Sequence, residues 1–227
     1  MEKRHFDEEL RHLHEGIFNM GAAVEEIIHS AIDALEKRDS GLSGKVVESD
    51  RKIDEMEITL DEKCFRLIAL YQPVAEDLRY ISTAMNIIND LERIADIAVN
   101  IAEFSVELAR EPLLKPLIDI PKMAKLAQDM IREVIAAFIQ KDLPLAKKVW
   151  FMENESDKLR DLIQDELIGF IERDGTCAKR ALPLLLVARY LERICDHCAH
   201  IAEDVIFIIT GKIARHHPDI IDSLGQI

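Results

Sequence analysis

The chain has 227 residues, with 43 acidic against 29 basic side chains and a formal charge of −14. That balance argues against nucleic acid as a partner and for cations or basic protein surfaces. Hydrophobic residues make up 48%, too many for a disordered chain, and 5% aromatics with 8 Gly and 7 Pro favour long helices over a sandwich or barrel.

Phe6, Leu10, Leu13, Ile17, Met20, Val24, Ile27, Ala31 and Leu35 recur at alternating four- and three-residue steps, the seam of a bundle helix. This first helix runs to Arg38, where Asp39-Ser40-Gly41 makes a turn. Ile53, Met56, Leu60, Cys64 and Leu67 line the second, which stops before Pro73. The third starts near Glu76-Asp77, acids suited to a helix N-terminus, and continues through Ile81, Met85, Ile88, Leu91, Ala95, Ala98 and Ala102 to about Arg110.

Pro112, Pro116 and Pro121 mark the connection between halves, because closely spaced prolines do not sit inside a helix. The pattern then restarts with Met123, Ala127, Met130, Ile131, Val134 and Phe138 in a fourth helix. Asp142-Leu143-Pro144 reads as an N-cap with proline in the first turn of the fifth, which ends at Asp174-Gly175. The sixth runs from about Ala178 to Thr210, with Gly211 placed to end it.

The halves repeat. At an offset of 103, Asp39 falls on Asp142, Met20 on Met123 and Leu35 on Phe138. At an offset of 100, Leu91-Glu92-Arg93-Ile94-Ala95-Asp96 falls on Leu191-Glu192-Arg193-Ile194-Cys195-Asp196, and Ile101-Ala102-Glu103 on Ile201-Ala202-Glu203. A period near 100 residues is a domain-sized duplication rather than a solenoid repeat. The predicted fold is all-α: two tandem three-helix bundles, six long antiparallel helices, spanning 1–111 and 119–213, with a C-terminal tail at 214–227.

Carboxylates recur beside the apolar seams. Glu92, Asp96, Asn100 and Glu103 of the third helix lie within about 80° of one another and roughly 115° from its seam. Asp50, Asp54, Glu57 and Asp61 share one face of the second helix. The second half repeats the arrangement with Glu153 and Asp157 on the fifth helix and Glu192, Asp196, His200 and Glu203 on the sixth. Like charges four residues apart cost an isolated helix a few tenths of a kcal/mol per pair, about 0.2–0.5. Facing strips raise that cost, and a multivalent cation with oxygen ligands offsets it. The expected cofactors are divalent or trivalent metal ions, iron foremost, with manganese, magnesium or zinc as alternatives, in a multinuclear cluster at each of two sites. The bland alternative is a solvated acidic face paired with Arg51, Arg93, Arg193 or Lys158.

Other features carry less. Cys195 and Cys198 form a C-x-x-C, but the repeat puts Ala95 and Ala98 at the matching places, so small-residue packing is the better reading. His197 matches Ile97 and is left outside the ligand set, whereas His200 matches Asn100 on the acidic stripe and is included. Glu9 with His12 and Glu26 with His29 resemble half of a di-iron bundle site, but both lie on one helix outside its seam and read as surface residues. His216-His217 falls in the tail. Gly-rich phosphate loops, nucleophile elbows and kinase signatures are absent from the sequence. The start, Met1-Glu2-Lys3-Arg4-His5-Phe6, lacks the apolar run of a signal peptide, and the apolar runs 182–188 and 205–209 are too short to span a bilayer. With four cysteines and no disulfide framework, the expected location is the reducing cytoplasm, with at most peripheral membrane association.

Glu92-Arg93-Ile94-Ala95-Asp96, Glu192-Arg193-Ile194-Cys195-Asp196 and Asp50-Arg51-Lys52-Ile53-Asp54, with Tyr71-Gln72-Pro73 before Asp77-Leu78-Arg79, resemble the PhoU family over nearly the whole chain. The resemblance implies two three-helix bundles with E(D)-x-x-x-D metal motifs. It also implies a role restraining phosphate-specific transport and the phosphate-starvation response, with the phosphate ABC transporter and a sensor histidine kinase as partners. A homodimer is compatible with the sequence. In the second half Glu153 stands where Asp50 does and Ser156 where Ile53 does, so the two sites need not hold the same number of ions. The leading reading is a metal-binding regulatory adaptor without catalytic turnover. The alternatives are a di-iron-type carboxylate oxidase and a helical scaffold that binds no metal.

Overall fold

Six helices account for most of the chain: α1 (Glu2–Lys37), α2 (Ser40–Tyr71), α3 (Ala75–Leu108), α4 (Asp119–Gln140), α5 (Leu143–Arg173) and α6 (Ala178–Thr210). A single 3₁₀ turn, Gly175–Cys177, precedes α6, and no strand occurs among the described residues. The structure, a computed structural model, describes residues 2–213 and Ile221. The tail expected at 214–227, with His216-His217, lies outside the described residues apart from Ile221, which is buried.

The helix ends follow from local chemistry. Asp39 accepts a hydrogen bond from the Gly41 amide at 2.8 Å and opens α2, and Asp142 accepts from the Leu145 amide at 3.0 Å and opens α5. Each satisfies an amide that the first helical turn leaves without a partner. Gly211 closes α6 in the left-handed region at φ 70°. Pro121, expected in the connection, instead lies in the first turn of α4, where a missing N–H costs no helical hydrogen bond. Pro183 lies within α6, one turn in from its start, and is buried. Arg38 donates from its guanidinium to the carbonyls of Leu108 (2.9 Å), Ala109 (3.2 Å) and Glu111, tying the end of α1 to the end of α3.

The α1 seam from Leu13 to Leu35 is buried throughout, as are Ile53, Leu60, Cys64 and Leu67 on α2. On α3 the burial is wider than one seam. Ile87, Ile94 and Ile101 are buried together with Leu91, Ala95, Ala98 and Ala102. The second buried face packs on α6, whose Val187, Ile194 and Ile201 repeat the pattern. Arg79 lies over the Phe207 ring and Asp90 meets His197, so α3 and α6 run antiparallel. Helices α1 and α4 cross likewise, with Glu25 paired to Arg132 at 3.0 Å. The halves therefore face each other with approximate two-fold symmetry, and one apolar core runs through both.

Candidate metal centre

Helices α2 and α3 are neighbours, and carboxylates of one act on carboxylates of the other. Asp50 is pushed up to about 6, first by burial and then by the charges of Asp54 and Asp96. Glu92 is pushed up to about 7 by burial, with Asp96, Glu57 and Asp54 adding and Arg93 opposing. Glu57 is raised by burial and by Asp61, Asp54 and Asp96. Asp50, Asp54, Glu57, Glu92 and Asp96 thus share one electrostatic environment, with Arg93 beside it, its Nε 3.7 Å from Glu92. Asn100 turns its amide to the Asp96 carbonyl at 2.7 Å, and Glu103 is exposed, further along the same helix.

The second group lies between α5 and α6. Glu153 is pushed up to about 6 by burial and then by Asp196, Asp157, Glu203 and Glu192. Glu192 is raised by burial, against the pull of Arg160. Glu203 also accepts from the Trp150 indole N–H at 3.3 Å. The composition differs from the first group in one decisive residue. At the repeat offset of 103, Arg160 stands where Glu57 does. Its guanidinium donates to Glu192 at 3.1 Å and Asp157 at 3.4 Å, and pairs with Asp161 at 2.9 Å. This strip carries its own cation, a feature readable from the repeat alignment once position 160 is compared with 57.

In the first group the Asp50 Oδ1 atom is buried without a hydrogen-bond partner among the described residues. A buried carboxylate oxygen is costly unless a proton, donor or cation meets it. Clustered oxygen donors without thiolate suit hard ions such as iron, manganese or magnesium. In the second group the guanidinium supplies part of that compensation, so its demand for an ion is smaller.

His200 is exposed and sits with His197 and Asp90, ligand-capable atoms of all three lying within 4.8 Å of one another. Asp196 also feels both imidazoles. Cys195 and Cys198 are free and buried in the core, and burial pushes the Cys195 thiol up to about 12. His12, Glu26 and His29 are exposed, and Glu9 lies 3.7 Å from Lys63.

Two antiparallel three-helix units, each with a carboxylate group where its second and third helices meet, define the class of duplicated helical bundles with paired acidic centres. The PhoU domain model matches residues 17–105 and 120–205. A phosphate-specific transport system accessory protein PhoU homolog from Aquifex aeolicus is 40% identical over 208 residues, 92% of this chain and 94% of that one. The phosphate-specific transport system accessory protein PhoU homolog 1 from Thermotoga maritima is 35% identical, covering 92% of this chain and 90% of its own. The crystal structure of PhoU from Pseudomonas aeruginosa superposes with a TM-score of 0.87 at 34% identity, over 91% of this chain and 100% of that one. The chain belongs to the PhoU family, whose named relatives are accessory proteins of phosphate-specific transport.

Proposed function

We propose that this protein is a metal-binding regulatory adaptor of phosphate uptake that acts in the cytoplasm without catalytic turnover. It restrains the phosphate-specific ABC transporter and the phosphate-starvation response through contacts with transporter components and a sensor histidine kinase. Family membership and the names of the relatives support the transport role. No helix among the described residues is long and apolar enough to cross a membrane. That fits a partner reaching the transporter from outside the bilayer.

The observation that carries the metal reading is the mutual repulsion of Asp50, Asp54, Glu57, Glu92 and Asp96 on neighbouring helices, together with a buried, unpartnered Asp50 oxygen. These residues would hold the ions of the first site, and Glu153, Asp157, Glu192 and Asp196 those of the second. Asn100 and Glu103 extend the first strip and Glu203 the second, while His200 sits apart with Asp90 and His197. Bound ions would neutralise like charges on neighbouring helices and fix the surface that α2 and α3 present. Because Arg160 occupies part of the second strip, that site holds fewer ions or binds them less tightly.

The test is metal analysis of protein purified without chelator, for the parent and for Asp96→Asn and Asp196→Asn. Asp96→Asn is expected to lower metal at the first site and leave the second, and Asp196→Asn the reverse, with the larger loss from Asp96→Asn. Equal loss at both sites, or none, would overturn the assignment. A first-site variant that has lost its metal yet still represses a phosphate-starvation reporter as the parent does would detach metal from regulation. Oxygen consumption by the iron-loaded protein would overturn the adaptor reading in favour of an oxidase.

A further inference from the structure

Asp90 of α3 and His197 of α6 meet at the seam between the two halves, with His197 Nδ1 2.8 Å from Asp90 Oδ1. His200 stands one turn along α6 on the same flank, its ring 5.9 Å from that of His197 and nearly perpendicular to it. Residues three apart on a helix are neighbours, so the two imidazoles converge on one point while the carboxylate reaches it from the opposite half. Asp90 and His197 are half-buried and His200 is exposed, so the point is open to solvent on one side.

The duplication supplies an internal comparison. At the offset of 100, the places of Asp90, His197 and His200 are taken by Tyr190, Ile97 and Asn100. Ile97 is buried, and Tyr190 packs against Phe104 with ring centroids 6.0 Å apart. The two-fold-related position thus carries neither a carboxylate nor an imidazole. Docking of the halves does not require a polar triad, yet on one side the chain has one.

We infer that Asp90, His197 and His200 form a site for one late first-row divalent ion, zinc foremost, bridging the two halves. The donor set is two imidazole nitrogens and one carboxylate oxygen, which suits zinc and leaves a fourth position for water. Bond lengths near 2.0 Å put ligand atoms about 3.3 Å apart on a tetrahedral ion. The Asp90–His197 contact therefore opens by about 0.5 Å to admit the metal. Nitrogen donors separate this site chemically from the all-oxygen strip of the first half. It does not rest on metal binding by the strips. A bound ion links α3 of one half to α6 of the other and stabilises the docked arrangement by mass action.

The experiment titrates zinc(II) into the full chain in competition with a chromophoric chelator, for the parent, Asp90→Asn, His197→Ile and His200→Asn, with Glu92→Gln as the control on the first strip. His197→Ile installs the residue the other half carries at that place, and His200→Asn changes an exposed side chain, so at least one variant retains the fold. Each of the three is expected to weaken the same single zinc equivalent by at least about 100-fold, the upper end of what removing a mere supporting residue costs. Glu92→Gln is expected to leave that equivalent in place. Zinc should raise the melting temperature of the parent and not that of Asp90→Asn, and cobalt(II) in its place should give a visible spectrum that these variants abolish. Parent-like zinc affinity in Asp90→Asn, or loss of the same equivalent in Glu92→Gln, overturns the site. The strips are read separately from their manganese or iron content, so failure of one assignment leaves the other standing.

Discussion

Burial and three neighbouring carboxylates lift Glu92 from the ordinary glutamate value of 4.5 to about 7. The folded chain therefore holds a proton on Glu92 across a pH range where the unfolded chain has released it. Between pH 4.5 and about 7 the native state binds more protons, so stability falls as pH rises through that window. Asp50 and Glu153, both lifted to about 6, act in the same direction. Half-buried His14 opposes them, because burial lowers its value and the unfolded chain then binds the extra proton. Glu92→Gln isolates the carboxylate contribution. In EDTA this variant should melt higher than the parent at pH 8, and the difference should shrink towards pH 5. A difference independent of pH would mean that Glu92 is ionised throughout. Excess manganese should reduce the parent's own decline with pH, since the cation replaces the proton as the compensating charge.

At the scale of the helix, short polar residues decide where each element begins. The Asp142 side chain is the acceptor that meets the Leu145 amide at the start of α5. Removing it as Asp142→Ala should cost about 1 kcal/mol, the usual value of such a cap. For a chain of this size that is a fall of roughly 2–4 °C in melting temperature. The deletion should leave metal content unchanged, because Glu153 lies three turns further along the helix. The helix scale also explains an exchange between the repeats. Ile53 and Ala95 of the first half become Ser156 and Cys195 in the second, all four buried. A hydroxyl and a thiol thus stand in buried places that an isoleucine and an alanine fill in the other half.

The whole molecule is held by packing between halves as well as within them. Gly21 sits where α1 crosses α4, and a methyl group added there would lie 2.9 Å from Ile135 Cγ1. Its repeat equivalent, Ala124, is also small and buried. Small residues at both places let the two helices approach closely. Gly21→Leu should force them apart and destabilise the chain by about 1–3 kcal/mol, as overpacking of a close contact does. Chemical denaturation would measure the loss. Should Gly21→Leu prove as stable as the parent, the close crossing of α1 and α4 does not contribute to folding.

Local pattern determined much of this protein. The seam of α1, the turn at Asp39, the helix ends at Asp142 and Gly211, and the duplication at offsets of 103 and 100 are all visible in the chain, because helix period and capping are set by residues within a few positions. The sharing of one helix face by Glu92 with Asp96, or Asp50 with Asp54, has the same origin. Tertiary structure decided the rest. The second buried face of α3 exists because α6 covers it. Arg160 matters because its guanidinium reaches across from α5 to Glu192 on α6, 32 positions away. Asp90 finds His197 across 107 positions of sequence, a meeting that neither helix encodes alone. Periodicity states which side chains share a face, but which faces meet is settled by the rotation of each helix as the common core closes.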